Sequence, residues 1–241
     1  IVSSRIDKNG FERKRNFMIQ ISNLSKKYGE TVVFSDLNYT FENACIYGLV
    51  GRNGAGKTTL LNILSNYDKN YTGVISIDRK KMNKVDYLDM PVAYAMDQPS
   101  FFNELTIYEN LLLIASSRKI KKQEAFDKIE RILDGLGLKK YENYSPLELS
   151  KGTMQRLNNA CAMIQEEKIT IFDEPFSGLD PVQMKLLENV IVEFHKKEKG
   201  IYIISSHDIE CLQNVCDKCL LLHNGQIREI NMEEVDREKI A

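Results

Sequence analysis

A glycine-rich run early in the chain has the spacing of a phosphate-binding loop. From Gly51 to Thr58 the residues read GRNGAGKT, which fits G-x-x-x-x-G-K-[ST] without a gap. Glycines let successive backbone N–H groups turn inward, where they and the positive end of a following helix attract phosphate oxygens. Lys57 can reach the β- and γ-phosphates, Thr58 can ligate Mg²⁺ through its hydroxyl, and Thr59 can bond the α-phosphate. The residues predicted to bind a nucleotide here are Gly51, Asn53, Gly54, Ala55, Gly56, Lys57, Thr58 and Thr59.

Two carboxylates follow an apolar strand much later in the chain. Ile169–Phe172 is predicted as a buried strand, and Asp173 and Glu174 come directly after it. A carboxylate at the C-terminal end of a strand is suited to hold Mg²⁺ through water, so Asp173 is a predicted metal ligand. Strand side chains alternate faces, so Glu174 should point elsewhere and could orient or deprotonate an attacking water. Taken alone, the pair could equally be two solvated acids that cap a strand.

The elements that would position these residues alternate between strand and helix. An apolar strand, Ala44–Val50, leads into the glycine-rich run, and a helix over Lys57–Ser65 follows it. Glu124–Leu136 has apolar residues at helical spacing, within a region that is helical from about 106 to 167. Such alternation indicates an α/β fold with a mainly parallel sheet and an inserted helical subdomain. The other predicted elements are strands Ile19–Leu24, Val32–Phe34, Val74–Ile77, Val92–Met96 and Ile201–Ser205, helix Pro181–Lys197, and a hairpin that joins Leu220–His223 to Gln226–Ile230 through Asn224-Gly225.

Composition excludes several classes of protein. The chain has 241 residues, of which 43% are hydrophobic and 28% charged, with a net charge of -1. These values are ordinary for a globular protein and argue against a strongly basic nucleic-acid-binding surface, so no nucleic acid partner is expected. The longest apolar runs fall far short of the roughly 20 residues that cross a bilayer. No apolar leader is visible either, and the odd number and uneven spacing of the cysteines predict a reducing and hence cytoplasmic compartment.

The two ends of the sequence differ from the rest. Residues 1–17 are polar and basic, and Met18 opens a strand-like segment. We interpret residues 1–17 as a vector-derived remnant, with a basic arm that touches phosphate or lipid head groups as the alternative. Residues 18–230 are predicted to form a single domain with its helical insertion at about 100–167, and residues 231–241 a charged tail.

The five cysteines are odd in number and unevenly spaced, which argues against a secreted disulfide framework. Cys211, Cys216 and Cys219 match part of an iron–sulfur spacing. Free cysteines are often simply buried, however, and Cys219 opens an apolar run. Core packing is therefore the favoured interpretation.

Further motifs, in order along the chain, resemble those of the ATPase subunit of the ABC transporter family, from Met18 to about Ile230. Tyr28 lies where the family has an aromatic residue that stacks on adenine, and Gln98 lies at the position of the glutamine that contacts Mg²⁺ and water. The run LSKGT from Leu149 resembles the signature LSGGQ, and Ser177-Gly178-Leu179-Asp180 resembles the D-loop. His207 matches the switch histidine that contacts the γ-phosphate.

The signature departs from the family pattern at two positions. Lys151 replaces the first glycine and Thr153 the glutamine, while Ser150 and Gly152, which contact the opposing γ-phosphate in the family, are retained. Lys151 either adds a cation near phosphate or points to solvent. Thr153 is too short to replace the glutamine contact to the ribose region.

The resemblance implies a P-loop NTPase core with a mainly parallel sheet, an N-terminal antiparallel β subdomain and an inserted α-helical subdomain. It also implies ATP and Mg²⁺ as ligands, Glu174, His207 and Gln98 as catalytic residues, and Thr58, Gln98 and Asp173 as metal ligands. Two ATPase subunits, with a homodimer favoured, would close head to tail on ATP beneath a separate transmembrane permease subunit, on the cytoplasmic face of the membrane.

Several functions would use this chemistry. An exporter-type transport ATPase is favoured, and an ATPase that drives a membrane signalling or cell-wall regulatory complex is the alternative. An ABC-type protein acting on ribosomes or DNA, and a small-molecule kinase, fit the motifs less well. The membrane partner is expected to dock near Gln98 and the following Pro99, Phe101 and Phe102, although the aromatic side chains could instead belong to the core.

Overall fold

The computed structural model describes residues 17–85, 89–207 and 209–231. The predicted basic segment, apart from its last residue, and the charged tail, apart from its first, lie outside these ranges. The strands are β1 (Met18–Tyr28), β2 (Thr31–Glu42), β3 (Cys45–Val50), β4 (Thr72–Ile77), β5 (Lys80–Lys81), β6 (Val92–Ala95), β7 (Ile169–Asp173), β8 (Ile201–Ser205), β9 (Lys218–His223) and β10 (Gln226–Ile230). The helices are α1 (Lys57–Leu64), α2 (Ile107–Ser117), α3 (Lys122–Gly135), α4 (Lys151–Met163), α5 (Pro181–Glu198) and α6 (Ile209–Val215).

The larger sheet has six strands in the order β10-β9-β3-β8-β7-β6. Every neighbouring pair is parallel except β9 and β10, which form an antiparallel hairpin. Asn224 and Gly225 have φ values of 48° and 71°, the left-handed conformation that a type I′ hairpin turn needs at both positions. The predicted α/β fold with a mainly parallel sheet is therefore confirmed.

The larger sheet is covered on both faces, which explains its nearly continuous apolar strands. Side chains alternate along each strand, so Ile46 and Val50 of β3 face the core built with α2 to α6. Tyr47 and Leu49 of the same strand face a second core, which includes α1 and the smaller sheet. Each strand end is thus held between two packed layers, and the loops at those ends start from rigid positions.

The smaller sheet is antiparallel, with the order β2-β1-β4-β5, and its second strand is longer than predicted. The predicted strand Val32–Phe34 extends over Thr31–Glu42, because Ser35 and Asp36 do not end it. Asp36 instead takes a φ of 52° at an irregularity in the pairing, and its N–H donates to Ser25 Oγ at 3.0 Å. Turn-forming residue types therefore mark a bulge in this strand.

The predicted helical region divides into α2, α3 and α4, joined through 3₁₀ turns at Lys139–Tyr141 and Pro146–Glu148. Thr106 caps α2 in a reciprocal arrangement with Glu109, which satisfies backbone N–H groups at the helix start. Within the described ranges, none of the helices combines the length and apolar character that a bilayer crossing requires.

A buried polar cluster connects the helical region to the parallel sheet. Lys128 of α3 is 1% exposed and forms an ion pair with Glu166, which precedes β7. Nearby, Tyr202 of β8 donates from its hydroxyl to Glu198 Oε2 at 2.6 Å. Burial, together with the charge of Glu166, raises the pKa of Glu198 to about 7, although Tyr202, Lys128 and Lys197 oppose the shift.

Glu198→Gln should therefore change how stability depends on pH. The raised pKa means that the folded chain binds the Glu198 proton more tightly than the unfolded chain does. The contribution of this proton to the free energy of unfolding is therefore complete below the pKa of Glu198 in the unfolded chain, and it is lost as pH rises through about 7. We expect the free energy of unfolding of Glu198→Gln, relative to wild type, to rise between pH 5 and 8 by on the order of 2 kcal/mol. Urea unfolding across this range measures it, with Glu193→Gln, an exposed position on α5, as the control. Parallel curves for wild type and Glu198→Gln would contradict the prediction.

The cysteines are packed in the interior, as the favoured interpretation predicted. Cys211 and Cys219 are buried in the core on the helical side of the sheet, and Cys216 packs against the same core. Burial raises the pKa of Cys219 to about 11 and that of Cys216 well above its usual value, as is typical of thiols packed in a protein interior.

Candidate nucleotide site

Three loops meet at the C-terminal edge of the parallel sheet. Ser205 at the end of β8 pairs with Leu49 of β3 on one side and with Asp173 of β7 on the other. The glycine-rich loop leaves from β3, the paired carboxylates leave from β7, and His207 follows β8. Parallel pairing in register therefore brings together residues that are far apart in the sequence.

The glycine-rich loop wraps around the side chain of Lys57, the first residue of α1. Its ammonium donates to the carbonyl of Gly51 at 2.7 Å, and the Arg52 carbonyl lies at 3.5 Å. Gly54 and Gly56 have φ values of 80° and 101°, which other residues rarely adopt. A side-chain carbon at Gly56 would also lie 2.6 Å from Val33 Cγ1, so β2 packs directly against this loop.

The loop has the properties of an anion site. Helix α1 begins without a side-chain cap and without an acidic residue in its own first turn, so its positive end is not neutralised from within the helix. Gly54 faces open space, because a side-chain carbon there would meet nothing within 4 Å. Asn53, Gly54 and Thr58 are exposed and Ala55 and Thr59 half-buried, so a polyphosphate has room on the outer side of the loop.

Asp173 is buried at the end of β7, at 1% exposure, with hydroxyl groups near both carboxylate oxygens. Ser205 donates from its hydroxyl to one oxygen, and the Tyr94 hydroxyl lies 3.4 Å from the other and 3.0 Å from Asn62 Oδ1. Burial and the charge of Asp173 raise the pKa of Tyr94, so its hydroxyl remains a donor. These contacts hold the carboxylate in one orientation.

The alternation of side chains along a strand does not apply to Glu174, because β7 ends at Asp173. The backbone conformation of Glu174 itself sets the direction of its side chain. Glu174 has a φ of 50°, uncommon for a residue with a side chain. Its N–H donates to Ser205 Oγ at 3.0 Å, and its carbonyl accepts from Gln155 Nε2 at 3.2 Å. Its carboxylate Oε2 lies 2.8 Å from Nδ1 of His207, whose side chain is 72% exposed. A held carboxylate and an accessible imidazole thus share a hydrogen bond beside the phosphate loop.

Helix α4 begins within the run LSKGT, and its Gln155 contacts the backbone of Glu174. Ser150 caps the helix by accepting from the Thr153 N–H at 3.2 Å. A side-chain carbon at Gly152 would lie 2.8 Å from the carbonyl of Gly178, so the first turn of α4 packs closely against the loop that contains Gly178. Lys151 is exposed, and its methylene groups lie beside Gly178.

Tyr28 belongs to the smaller sheet, whereas Gln98 follows a strand of the larger sheet. Tyr28 ends β1 and is 52% exposed; its hydroxyl donates to Asp68 at 3.1 Å, while Lys26 Nζ lies 4.5 Å from the ring centre. One face of the ring is therefore already covered by a cation. Gln98 is exposed in the loop after β6, the edge strand that pairs with β7.

Mg²⁺ fits the donor set only together with phosphate. Among the described residues, no three His, Cys, Asp or Glu side chains cluster as a metal site. Mg²⁺ commonly binds through one or two carboxylates plus substrate phosphates and water, and Asp173, Thr58 and Gln98 offer oxygen donors of that kind.

Sequence reasoning missed Ser205, Tyr94 and Gln155. Their positions depend on how β6, β7 and β8 pair and on which face of α4 turns inward. The one available signal was polarity in otherwise apolar segments, such as Tyr94 in β6 and Ser205 in β8.

Comparisons with known proteins agree with this geometry. The ABC transporter family model matches residues 34–177. The bacitracin transport ATP-binding protein BcrA of Enterococcus faecalis is 30% identical over 92% of this chain and 71% of its own length. The tungstate uptake system ATP-binding protein TupC of Peptoclostridium acidaminophilum is 30% identical over 88% of this chain and 97% of its own. A solved structure of an ATP-binding subunit of an ABC transporter has a TM-score of 0.82 at 27% identity and covers 92% of both chains.

The parallel sheet, the glycine-rich loop and α1 define a P-loop nucleotide-binding domain. Within that class, the chain belongs to the ABC transporter family and is an ATP-binding subunit. The resemblance seen in the sequence is thereby confirmed.

Proposed function

We propose that the chain hydrolyses ATP with Mg²⁺ and thereby drives a separate transmembrane permease subunit. The observation that carries the proposal is the contact between Glu174 Oε2 and His207 Nδ1, 2.8 Å apart, at the sheet edge that carries the phosphate loop. A positioned carboxylate of this kind can take a proton from water, and the neighbouring loop supplies the phosphate to be attacked.

The proposed reaction is attack of a water oxygen on the γ-phosphorus as the bond to the β–γ bridging oxygen breaks. Glu174 accepts the proton that the water loses, and His207 orients Glu174 and contacts the γ-phosphate. Lys57 and the loop N–H groups neutralise phosphate charge, while Asp173, Thr58 and Gln98 would hold Mg²⁺, which would supply further stabilisation of charge on the phosphate oxygens. Tyr28 is proposed to stack its free ring face on adenine.

Two copies are proposed to close on ATP, because the chain carries one set of motifs. Ser150 and Gly152 of one copy would complete the site that Lys57 of the other copy begins. ATP shifts the equilibrium between separate copies and the closed pair only by the amount by which it binds the closed pair more tightly.

Light scattering tests this closure directly. Glu174→Gln with ATP and Mg²⁺ should show the mass of a dimer, and without nucleotide that of a monomer. A mass that stays monomeric under saturating ATP would count against the homodimer.

The surface near Gln98 is proposed as the membrane-facing side of the complex, on the cytoplasmic face of the membrane. Of the two aromatic residues there, Phe101 packs against the core, whereas Phe102 is 59% exposed. Asn110, which is buried, holds the backbone of Phe102 through two hydrogen bonds of 3.0 Å. Phe102 is thus an apolar side chain displayed by a fixed backbone.

The direction of transport is proposed to be export. One relative is named for bacitracin transport rather than for uptake, which is compatible with the exporter-type subunit expected from the sequence. A protein named for tungstate uptake has the same sequence identity to this chain, so uptake is the competing direction of transport.

A mild-detergent pull-down from the native cell tests the transport role. Recovery of a stoichiometric polypeptide with several membrane spans is expected. Comparing substrate movement with and without ATP in vesicles that contain the complex then decides direction. Recovery of soluble partners alone would overturn the transport assignment, and a partner with an extracellular regulatory domain and no transport would favour the signalling alternative.

A further inference from the structure

Thr153, which stands where the family signature has glutamine, is turned into the protein. It is 3% exposed, although it lies in the first turn of α4 beside the exposed Ser150 and Lys151. Its Oγ1 lies 2.9 Å from Ser150 Oγ and 3.2 Å from Nη2 of Arg156. Threonine at this position is shorter than the family's glutamine, and its hydroxyl makes a partly buried contact with the signature serine.

Arg156 donates one of the hydrogen bonds that Thr153 Oγ1 accepts. A guanidinium only donates, so Arg156 occupies Thr153 Oγ1 as an acceptor. The same guanidinium donates through Nη1 to the carbonyls of Leu136 and Gly137, at 2.8 and 3.2 Å, where α3 ends. These two hydrogen bonds hold the guanidinium of Arg156 in place against the end of α3.

The hydroxyl hydrogen of Thr153 must then go to Ser150. In the part of the chain that the structure describes, Ser150 Oγ is the remaining acceptor within hydrogen-bond distance of Thr153 Oγ1. If Ser150 donated instead, the hydrogen of Thr153 would be buried without an acceptor, which costs about 1–3 kcal/mol. Ser150 Oγ also accepts from the Thr153 N–H, so both of its lone pairs are used. The hydrogen of Ser150 is left to point outward from an exposed residue.

We propose that Thr153 is a positioning residue that holds the Ser150 hydroxyl as an outward-directed donor to a phosphate oxygen of the nucleotide on the partner copy. The inference rests on the proposed function, which places Ser150 against that nucleotide. A donor that is already oriented loses less entropy when the two copies close.

The test measures the ATP concentration at half-maximal dimerisation by light scattering, in the Glu174→Gln background with Mg²⁺. Thr153→Val keeps the shape of threonine and removes the hydroxyl, and should raise this concentration by about 3- to 10-fold. Thr153→Ser restores the hydroxyl and should restore the concentration. Thermal midpoints of the nucleotide-free monomers show whether each variant is folded. With Glu174 present, Thr153→Val should raise KM for ATP more than it lowers kcat.

Two more variants, Ser150→Ala and the double variant Ser150→Ala/Thr153→Val, distinguish a failure of the role of Thr153 from a failure of the proposed function. If Thr153 acts through Ser150, Thr153→Val should add little to the effect of Ser150→Ala, and an effect that adds in full would overturn the inference. A strong effect of Ser150→Ala with none from Thr153→Val would overturn the inference and leave the proposed function standing. If Ser150→Ala has no effect, or if no ATP-dependent dimer forms at all, the closure model fails and the inference fails with it.

Discussion

Glu174→Gln should lose ATP turnover by about 10²–10⁴-fold while it still binds ATP, because the change removes a proton acceptor and nothing from the phosphate loop. The glutamine amide keeps the size of the side chain and can still accept from His207, whose Nδ1 lies 2.8 Å from the native carboxylate. The backbone of Glu174 is held independently, by Ser205 and Gln155, so the loop should keep its conformation.

Phosphate release and equilibrium binding of a fluorescent ATP analogue measure the two halves of this prediction separately. Glu193→Gln removes one carboxylate from an exposed position on α5 and serves as the control for net charge. Turnover at the wild-type rate in Glu174→Gln would remove Glu174 from the mechanism. A loss of binding as large as the loss of turnover would mean that the residue acts on the loop instead.

Lys57→Ala should weaken ATP binding by about 10- to 100-fold and lower turnover at subsaturating ATP at least as much. Hydrogen bonds that involve a charged group contribute about 1.5–3 kcal/mol each, and a factor of ten in affinity corresponds to about 1.4 kcal/mol. Lys57 is buried and its ammonium is held by the Gly51 carbonyl at 2.7 Å, so the charge is already positioned when phosphate arrives.

Arg52→Ala is the matched comparison for Lys57→Ala. It removes a cation from the same loop, but one whose side chain is exposed, and should change ATP affinity much less. Titration calorimetry with ATP and Mg²⁺ measures both affinities. If the two variants bind alike, general positive charge rather than a placed ammonium accounts for nucleotide binding.

Most elements of the parallel sheet could be predicted because their signals are local. Ile201–Ser205 is predicted and observed with the same bounds, since a short apolar run buried on both faces reads as a strand. The Asn224-Gly225 turn was equally visible, because few residues other than these adopt two successive positive φ values. The length of β2 was predicted too short, because residue types such as Ser35 and Asp36 occur in β-bulges as well as in turns and do not distinguish the two.

The sequence by itself determined the phosphate loop, the strand that ends in Asp173, and the family, because each depends on residue types at short, fixed spacing. Only the tertiary structure decided that Ser205 lies against Asp173 and that the Glu174 carboxylate meets His207. Those contacts depend on the register of strands separated by some thirty residues of intervening chain. The structure also decided that Thr153 turns inward to Arg156 and Ser150, because the rotation of a helix about its axis is set by the core against which it packs.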